Sequence, residues 1–497
     1  MGLVFCATCL QAVAFFFSSC SLFHFYSKIG TQPETAYDSG VDVKYGLTNN
    51  LTLDLTFNTD FAQVEADDQQ INLTRFSLFF PEKRQFFQER SGIFDFRVGQ
   101  LSRLFHSRRI GLTDDGTPVP LWGGTRLVGR IGLWDVGLLN MQTQKNGSLP
   151  SENFGVLRTR RRVWNEYSYA GAMATSRIGP DGQYNLAYGL DTVVRVHGDD
   201  YLTVQWAQSF DHTLASHTKG LNNGRFTVEL ERRRRSGWGY STTVAWAGRL
   251  YDPGIGFTQR NNFTLLDNKV SYTWLMPESA RLIWHQLALE ESAFIRNTNG
   301  TTESLEIGPA WYFSARNGSG GSVAFKVLHE NLEHSFALSE EAHIPAGRYT
   351  FFQVSASYHT SHTSLVQLRP QIAAGTFFDG SELSLGASPV WYISRHLELS
   401  GSYQYARIRF SERSEEFNAH LARLRIGTAL NTEISTNTFI QYNSVTHVVS
   451  ANVRFRYNFR EGNDLWLVYN ITGLTESRGA PMDREALLIK YTHTFQR

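Results

Sequence analysis

Cysteine is missing from almost the whole chain: Cys6, Cys9 and Cys20 fall in the first 20 of 497 residues, and none follows. That excludes a disulfide framework in the body and suits an oxidising compartment that uses no such bridges. No charge of one sign dominates, with Lys+Arg at 47 against Asp+Glu at 46, so the basic excess that marks a nucleic-acid partner is absent. Proline is scarce at 13 residues, and no helical domain is visible.

Chemical signatures are missing too. There is no G-x-S-x-G elbow for a serine nucleophile. HENLEH carries His329, Glu330 and His334 but has Glu333 where the helical zinc motif needs its second histidine. Glu229, Glu231, Glu303 and Glu306 could supply an acid and base for glycoside cleavage, yet alternation places many carboxylates in any polar lumen. A hydrolase is therefore the weakest reading; no cofactor and no metal are expected.

What is present is β-rich: 41 glycines, 13% aromatic residues and, after residue 40, apolar and polar residues that alternate with period two. In LTVQWAQ (202–208), Leu202, Val204 and Trp206 share one face, and Thr203, Gln205 and Ala207 the other. Phe226, Val228 and Leu230 oppose Thr227, Glu229 and Glu231, and Val453, Phe455, Tyr457 and Phe459 oppose Arg454, Arg456 and Asn458. Many strands reach about ten residues, the length that crosses a bilayer at a tilt, whereas globular strands average about five or six. Short turns (HGDD, RRRRS, MPESA, RNGSG, SHTS) alternate with longer loops such as DHTLASHTKGLNNG and RLYDPGIGFTQRN, the pattern of an outer-membrane barrel with short turns in the periplasm and longer loops outside.

The expectation is thus an all-β protein, a transmembrane antiparallel β-barrel of about 24 strands (22–26), in the bacterial outer membrane. Residues 41–497 form the barrel, 29–40 a linker, and 1–28 a signal-like apolar segment or an extraneous start, because LVFCATCLQAVAFFF (3–17) has the length of an h-region without a basic residue before Lys28. The last strand, LLIKYTHTFQR, puts Tyr491 and Phe495 on one face near the terminus and looks like a signal for the barrel-assembly machinery.

One segment resists the pattern. Residues 72–94 (NLTRFSLFFPEKRQFFQERSGIF) interleave six phenylalanines with charges. If LTLDLTFN (51–58) descends and LFHSRRIGL (104–112) ascends, residues 59–103 are a long return on the periplasmic side that folds into the barrel mouth as a plug. Phe79, Phe80, Phe86 and Phe87 would pack together, and Glu82, Lys83, Arg84 and Glu89 would meet lumen charges; alternatively residues 71–80 and 93–98 are two more wall strands. Arg423, Arg425, Arg454 and Arg456 should face inward as a basic ladder, because a charge on the lipid face costs about 2–4 kcal/mol at the midplane. Arginine at inward Thr227 should be tolerated for the same reason. RRRRS (232–236) reads as a periplasmic turn.

The run VKYGLTNNLTLDLTFNTDFAQVEADDQQINLTRFSLFFPEKRQFFQERSGIFDF (43–96), followed by LFHSRRIGL, LWGGTRLVGRIGLWDVGLLNMQT, NFGVLRTRRRV, GIGFTQR, NDLWLVYN and LLIKYTHTF, resembles the barrel family catalogued as domain of unknown function 5916. Gln85 stands where many relatives have proline, and strand material that usually precedes the VKYGL run is not evident. The resemblance implies an outer-membrane barrel, commonly behind a family 9 type carbohydrate-binding domain that this sequence lacks, and no established activity. It favours a channel or transport-related barrel for carbohydrate or another small solute, embedded in outer-membrane lipid. A non-conducting surface-binding barrel is the alternative.

Overall fold

The computed structural model describes residues 15–27, 34–58, 67–99, 102–113, 116, 118–213, 221–339, 342–474 and 484–496. One antiparallel sheet of 26 hydrogen-bonded segments dominates it. Val366–Gln367 and Val390–Ser394 continue Pro370–Phe377 and Gly380–Ala387 across short breaks, so among the described residues the wall has 24 strands, six before residue 165 and eighteen after it. Every wall strand is paired on both edges. Phe15–Ser27 pairs with Glu34–Thr48 on one side and with Arg484–Gln496 on the other, which leaves no open edge among the described strands. Among the described residues, helix is confined to single turns, Gln85–Gln88, Ser91–Ile93 and Ser107–Arg109.

The burial pattern is inverted relative to a soluble protein. On Gly224–Arg232, Val228 is 37% exposed and Leu230 40%, while Thr227 just before them is 2% exposed. Leu186, Tyr188 and Leu190 face out along Tyr184–His197, where Asp191 is buried. Apolar side chains outside and polar ones inside are what a bilayer demands of a spanning sheet, whose backbone groups must all be satisfied within the wall.

The structure corrects the sequence reading at four points. Residues taken for a signal-like segment and a linker include two wall strands, Phe15–Ser27 and Glu34–Thr48. The strand material that seemed missing before the VKYGL run is there. The apolar run that suggested an h-region continues into Ser18, Ser19, Ser21 and His24, and the ring needs a strand at this place to pair the edges of its neighbours.

Second, LFHSRRIGL is not a wall strand. The neighbour of Leu51–Phe57 is Leu121–Ile131, in register from Leu51↔Gly129 to Phe57↔Gly123, and residues 58–120 are one excursion between two adjacent strands. Third, neither 71–80 nor 93–98 joins the wall. Fourth, the excursion leaves from the opposite end. Leu51–Phe57 starts at the tight turn 49–50 and Leu121–Ile131 ends at the tight turn 132–133, which share an end with HGDD, RRRRS and MPESA. The excursion therefore hangs from the long-loop end, together with 212–223, 248–262 and 333–346. Reading one extra wall strand reverses the parity of everything before it.

Thr227 is also no free lumen position, because Gly99 of the excursion lies against it: a Cβ on Gly99 would sit 3.2 Å from the Thr227 hydroxyl. The open inner wall is elsewhere, for instance at Ser355. Val228→Arg is expected to lower stability in bilayers by about 2–4 kcal/mol, while Ser355→Arg changes it by no more than about 0.5 kcal/mol. Denaturant unfolding in lipid measures both, and equal losses would reverse the assigned faces.

Candidate functional site: the constricted lumen

The excursion has two parts held by different physics. Residues 84–112 form an apolar lobe. Phe87, Phe94, Phe96, Val98, Leu104 and Ile110 are buried against Leu121, Val128, Leu139, Met141, Phe154 and Met173 of the inner wall. Two wall glycines make room for it: a Cβ on Gly137 would lie 2.7 Å from the Phe94 ring, and one on Gly189 2.5 Å from the Phe96 ring. At about 1.5–3 kcal/mol per buried large side chain, this half is firmly docked.

The four phenylalanines expected to cluster do not. Phe86 and Phe87 meet edge to face, 5.1 Å apart. Phe79 instead packs on His106 at 4.9 Å and Phe257 at 5.2 Å, and Phe80 lies against Arg108. Between the two pairs the chain passes through Pro81 and the buried Glu82–Arg84 pair, which send them to different neighbours.

Charges of the lobe are satisfied in two ways. Arg84 is 3% exposed and is enclosed by its own segment, donating to Glu82, to the Ile110 and Ser107 carbonyls, and lying 4.3 Å over Phe87. Burial alone would raise the Glu82 carboxyl, but hydrogen bonds from Arg84 and Ser107 outweigh it and hold the group below its ordinary value. Glu82 and Arg84 thus meet each other, and Lys83 meets Asp68 of the same excursion. Glu89 does reach the wall, where it receives Lys44 at 2.5 Å and Arg126 at 3.3 Å. Arg126, 2% exposed, also binds Asp54 through two nitrogens at 2.9 and 2.8 Å and donates to the Phe86 carbonyl. Arg158 pairs with Asp191 in the same manner beneath Phe96.

Residues 67–83 form the second part, a strap that crosses the lumen. At one side Asp68 accepts Arg423 and Arg425 from Glu415–Ala429, while Gln441 both donates to the Asp67 carbonyl and accepts the Gln69 amide. At the other side Arg75 reaches Glu303 at 2.8 Å and Glu330 at 2.7 Å. Ile71 and Leu73 lean on the apolar cluster around Leu332, Phe351 and Phe410 near the long-loop end. Each end of the strap thus carries the charge opposite to the wall it touches.

Of the basic ladder, Arg423 and Arg425 take the strap, Arg456 pairs with Asp464 at 2.7 Å, and Arg454 shares their face, opposite Asn437. Tyr491 and Phe495 face outward on the last strand. His329 bonds Thr350 on the outer face, whereas the Glu330 carboxylate is taken by Arg75, so HENLEH gathers no ligand set. Glu306 pairs with Lys326, and Glu229 accepts Ser241. In the turn RRRRS, Arg232 is paired with Asp200 and Arg233 with Glu231. Asp67, Asp68, Arg75, Arg126, His106 and Gln441 escaped the sequence reading. The adjacent acids Asp67 and Asp68 just ahead of the aromatic stretch were the one signal available.

Cavities follow the strap. One of about 300 Å3 is lined by Ser322, Ser355, Ser357, Gln371, Ser384 and Gln404 with Ile71 and Leu73. A second, of about 400 Å3, shares Ile71 and Gln404 with it and reaches Asp68, Lys83 and Arg423. A third, of about 480 Å3, shares Pro81 with the second and runs along the lobe past His106.

Two outcomes are expected. Arg126→Ala leaves Asp54 buried with only Lys44, 3.8 Å away, and should cost about 3 kcal/mol, the low end for breaking a buried pair, in urea unfolding. Burial, reinforced by Arg103, Arg108 and Arg109 against the opposing Glu82, pushes the His106 imidazole down to about 4 from 6.5. An unfolded chain takes up this proton as pH falls below 6.5 and the folded one does not, so stability is full above 6.5 and is lost between 6.5 and about 4. Asp68, Glu82 and Glu89, all held below their ordinary values, lose their contribution only at lower pH. The urea midpoint should therefore fall between pH 6.5 and 4.5, and His106→Leu should flatten that fall.

No curated protein matches the chain. Among solved structures, the ferric enterobactin receptor PfeA of Pseudomonas aeruginosa is similar at 8% identity and TM-score 0.45, covering 96% of this chain and 81% of that one. The siderophore receptor PirA of the same organism is similar at 10% and 0.45, covering 97% and 80%, and the copper transporter OprC at 9% and 0.43, covering 96% and 81%. Identities and scores this low do not carry those proteins' ligands to this chain. Residues 16–119, which include the first wall strands and nearly all of the interior excursion, match the family described as Domain of unknown function (DUF5916), the family that the sequence motifs resemble.

Proposed function

We propose that the protein is an outer-membrane channel for small polar solutes, carbohydrates among them, with the strap 67–83 as its constriction. The observation that carries this reading is the cavity of about 300 Å3 beside the strap, whose inner wall is largely serine and glutamine rather than a packed apolar core, with a second cavity sharing Ile71 and Gln404 with it. Uncharged hydroxyl and amide groups can exchange hydrogen bonds with a sugar as readily as with water, and Ile71 and Leu73 offer it an apolar face. The carbohydrate-binding domain that commonly accompanies the resembled family points to the same solute class.

Short turns belong in the periplasm and longer loops outside; the excursion is then lowered into the lumen from the cell exterior. The outward apolar belt contacts lipid, and outward Tyr491 and Phe495 on the terminal strand are where the assembly machinery would engage the chain. The apolar lobe stays docked, and the strap sets the bore.

Replacing residues 67–81 by a Gly/Ser stretch of equal length leaves the lobe and its buried arginines in place. Single-channel conductance in planar bilayers should then rise severalfold over the unaltered protein, and liposomes carrying the variant should swell faster in a disaccharide. A folded variant with unchanged conductance and no sugar permeation would exclude the reading and leave a non-conducting barrel.

A further inference from the structure

Asp68 is bound more like a ligand than like half of a wall ion pair. One carboxylate oxygen accepts Lys83 at 3.0 Å and Arg425 at 2.6 Å, and the other accepts Arg423 at 3.0 Å. The two wall guanidinia also have positions of their own. Arg425 lies 4.1 Å over the Phe439 ring, and Arg423 donates to the Ser402 hydroxyl at 3.1 Å, so both are orientated by wall residues. Arg423 and Arg425 stand two residues apart on one strand and therefore on one face, with Arg454 and Arg456 two strands further on. The cavity of about 400 Å3 opens directly onto Asp68, Lys83 and Arg423, a size that accommodates small molecules. Asp68 itself is 34% exposed in its side chain, so a solute in that cavity reaches the same cations.

We propose that Arg423, Arg425 and Lys83 form an anion-binding site which Asp68 occupies in place of a diffusible ligand. A small solute bearing two or more carboxylate or phosphate groups enters from the cavity, takes the cations, displaces Asp68 and releases that end of the strap. The charge number matters because Asp68 is tethered and competes at an effective concentration in about the millimolar range. A monovalent anion offers the guanidinia no more than Asp68 does. A multivalent oxyanion can bridge both, using the paired N–H donors that match carboxylate and phosphate geometry. The site stands independently of conduction; only the release of the strap as an opening step rests on the channel reading.

Citrate is a suitable probe, with acetate as the monovalent control, on the full chain folded in detergent at constant ionic strength so that screening is fixed. Titration calorimetry should give saturable citrate binding and none for acetate. Asp68→Asn, which removes the competitor while keeping the shape, should lower the citrate dissociation constant at least tenfold, and Asp68→Ala should shift it in the same direction. Arg423→Gln combined with Arg425→Gln should abolish binding. Equal citrate affinity with and without Asp68, binding that survives loss of both arginines, or no citrate binding by any form overturns the proposal. In bilayers, citrate should raise the conductance of the unaltered protein and leave Asp68→Asn, already released, unchanged. If citrate binds as described while conductance does not respond, the opening step falls and the anion site remains.

Discussion

A charge at mid-depth on a wall strand of this protein has only one acceptable direction. The outer face meets hydrocarbon, where a cation at mid-depth costs about 2–4 kcal/mol, so arginines such as Arg126, Arg158, Arg423 and Arg425 turn inward and must be answered there. Arg126 and Arg158 illustrate the consequence: both are almost fully buried, and both are held by a carboxylate from a neighbouring part of the wall, Asp54 and Asp191. The interior excursion supplies what the wall does not, with Glu89 completing the Arg126 site and Asp68 meeting Arg423 and Arg425. Its charges and the lumen's charges are two halves of one balance.

The division of the excursion follows from the same constraint. Where the inner wall offers apolar and small residues, from Leu121 round to Ala207, the chain answers with phenylalanines and forms a dry core. Where the wall offers Glu303 and Glu330 on one side and Arg423 and Arg425 on the other, it answers with Arg75 and Asp68 and stays beside open cavities. Apolar contact is neither screened by salt nor displaced by competing ions, whereas partly solvated ion pairs respond to both. A fixed lobe and a releasable strap therefore coexist within one connection between neighbouring strands.

Some of the site was legible before any coordinates. The inward ladder of Arg423, Arg425, Arg454 and Arg456 follows from alternation beside Leu424, Val453 and Phe455. That 72–94 belongs inside the barrel follows from its refusal to alternate. The companions were not legible. Phe79 lies seven residues from Phe86 yet packs on Phe257, because the chain between them folds around the Glu82–Arg84 pair. The fixed ends of the strap, Asp68 with Arg425 and Arg75 with Glu330, join residues 357 and 255 positions apart, and no local pattern encodes such a meeting.

Face assignment was determined by the sequence itself, since a period of two is a property of consecutive residues and survives without knowledge of neighbours. The apolar belt and the inward placement of the mid-wall charges belong to that class; the count of about 24 agrees only because one strand left out, Phe15–Ser27, offsets one wrongly included, LFHSRRIGL. Which end the excursion hangs from was decided only in three dimensions. It depends on the parity of the strands around it, and LFHSRRIGL alternates well enough to pass for a wall strand although Leu104 and Ile110 are buried in the lobe. The residues that a bilayer sorts can be read in one dimension, while those sorted by each other inside the lumen are placed by the barrel's closing of distance between strands far apart in the chain.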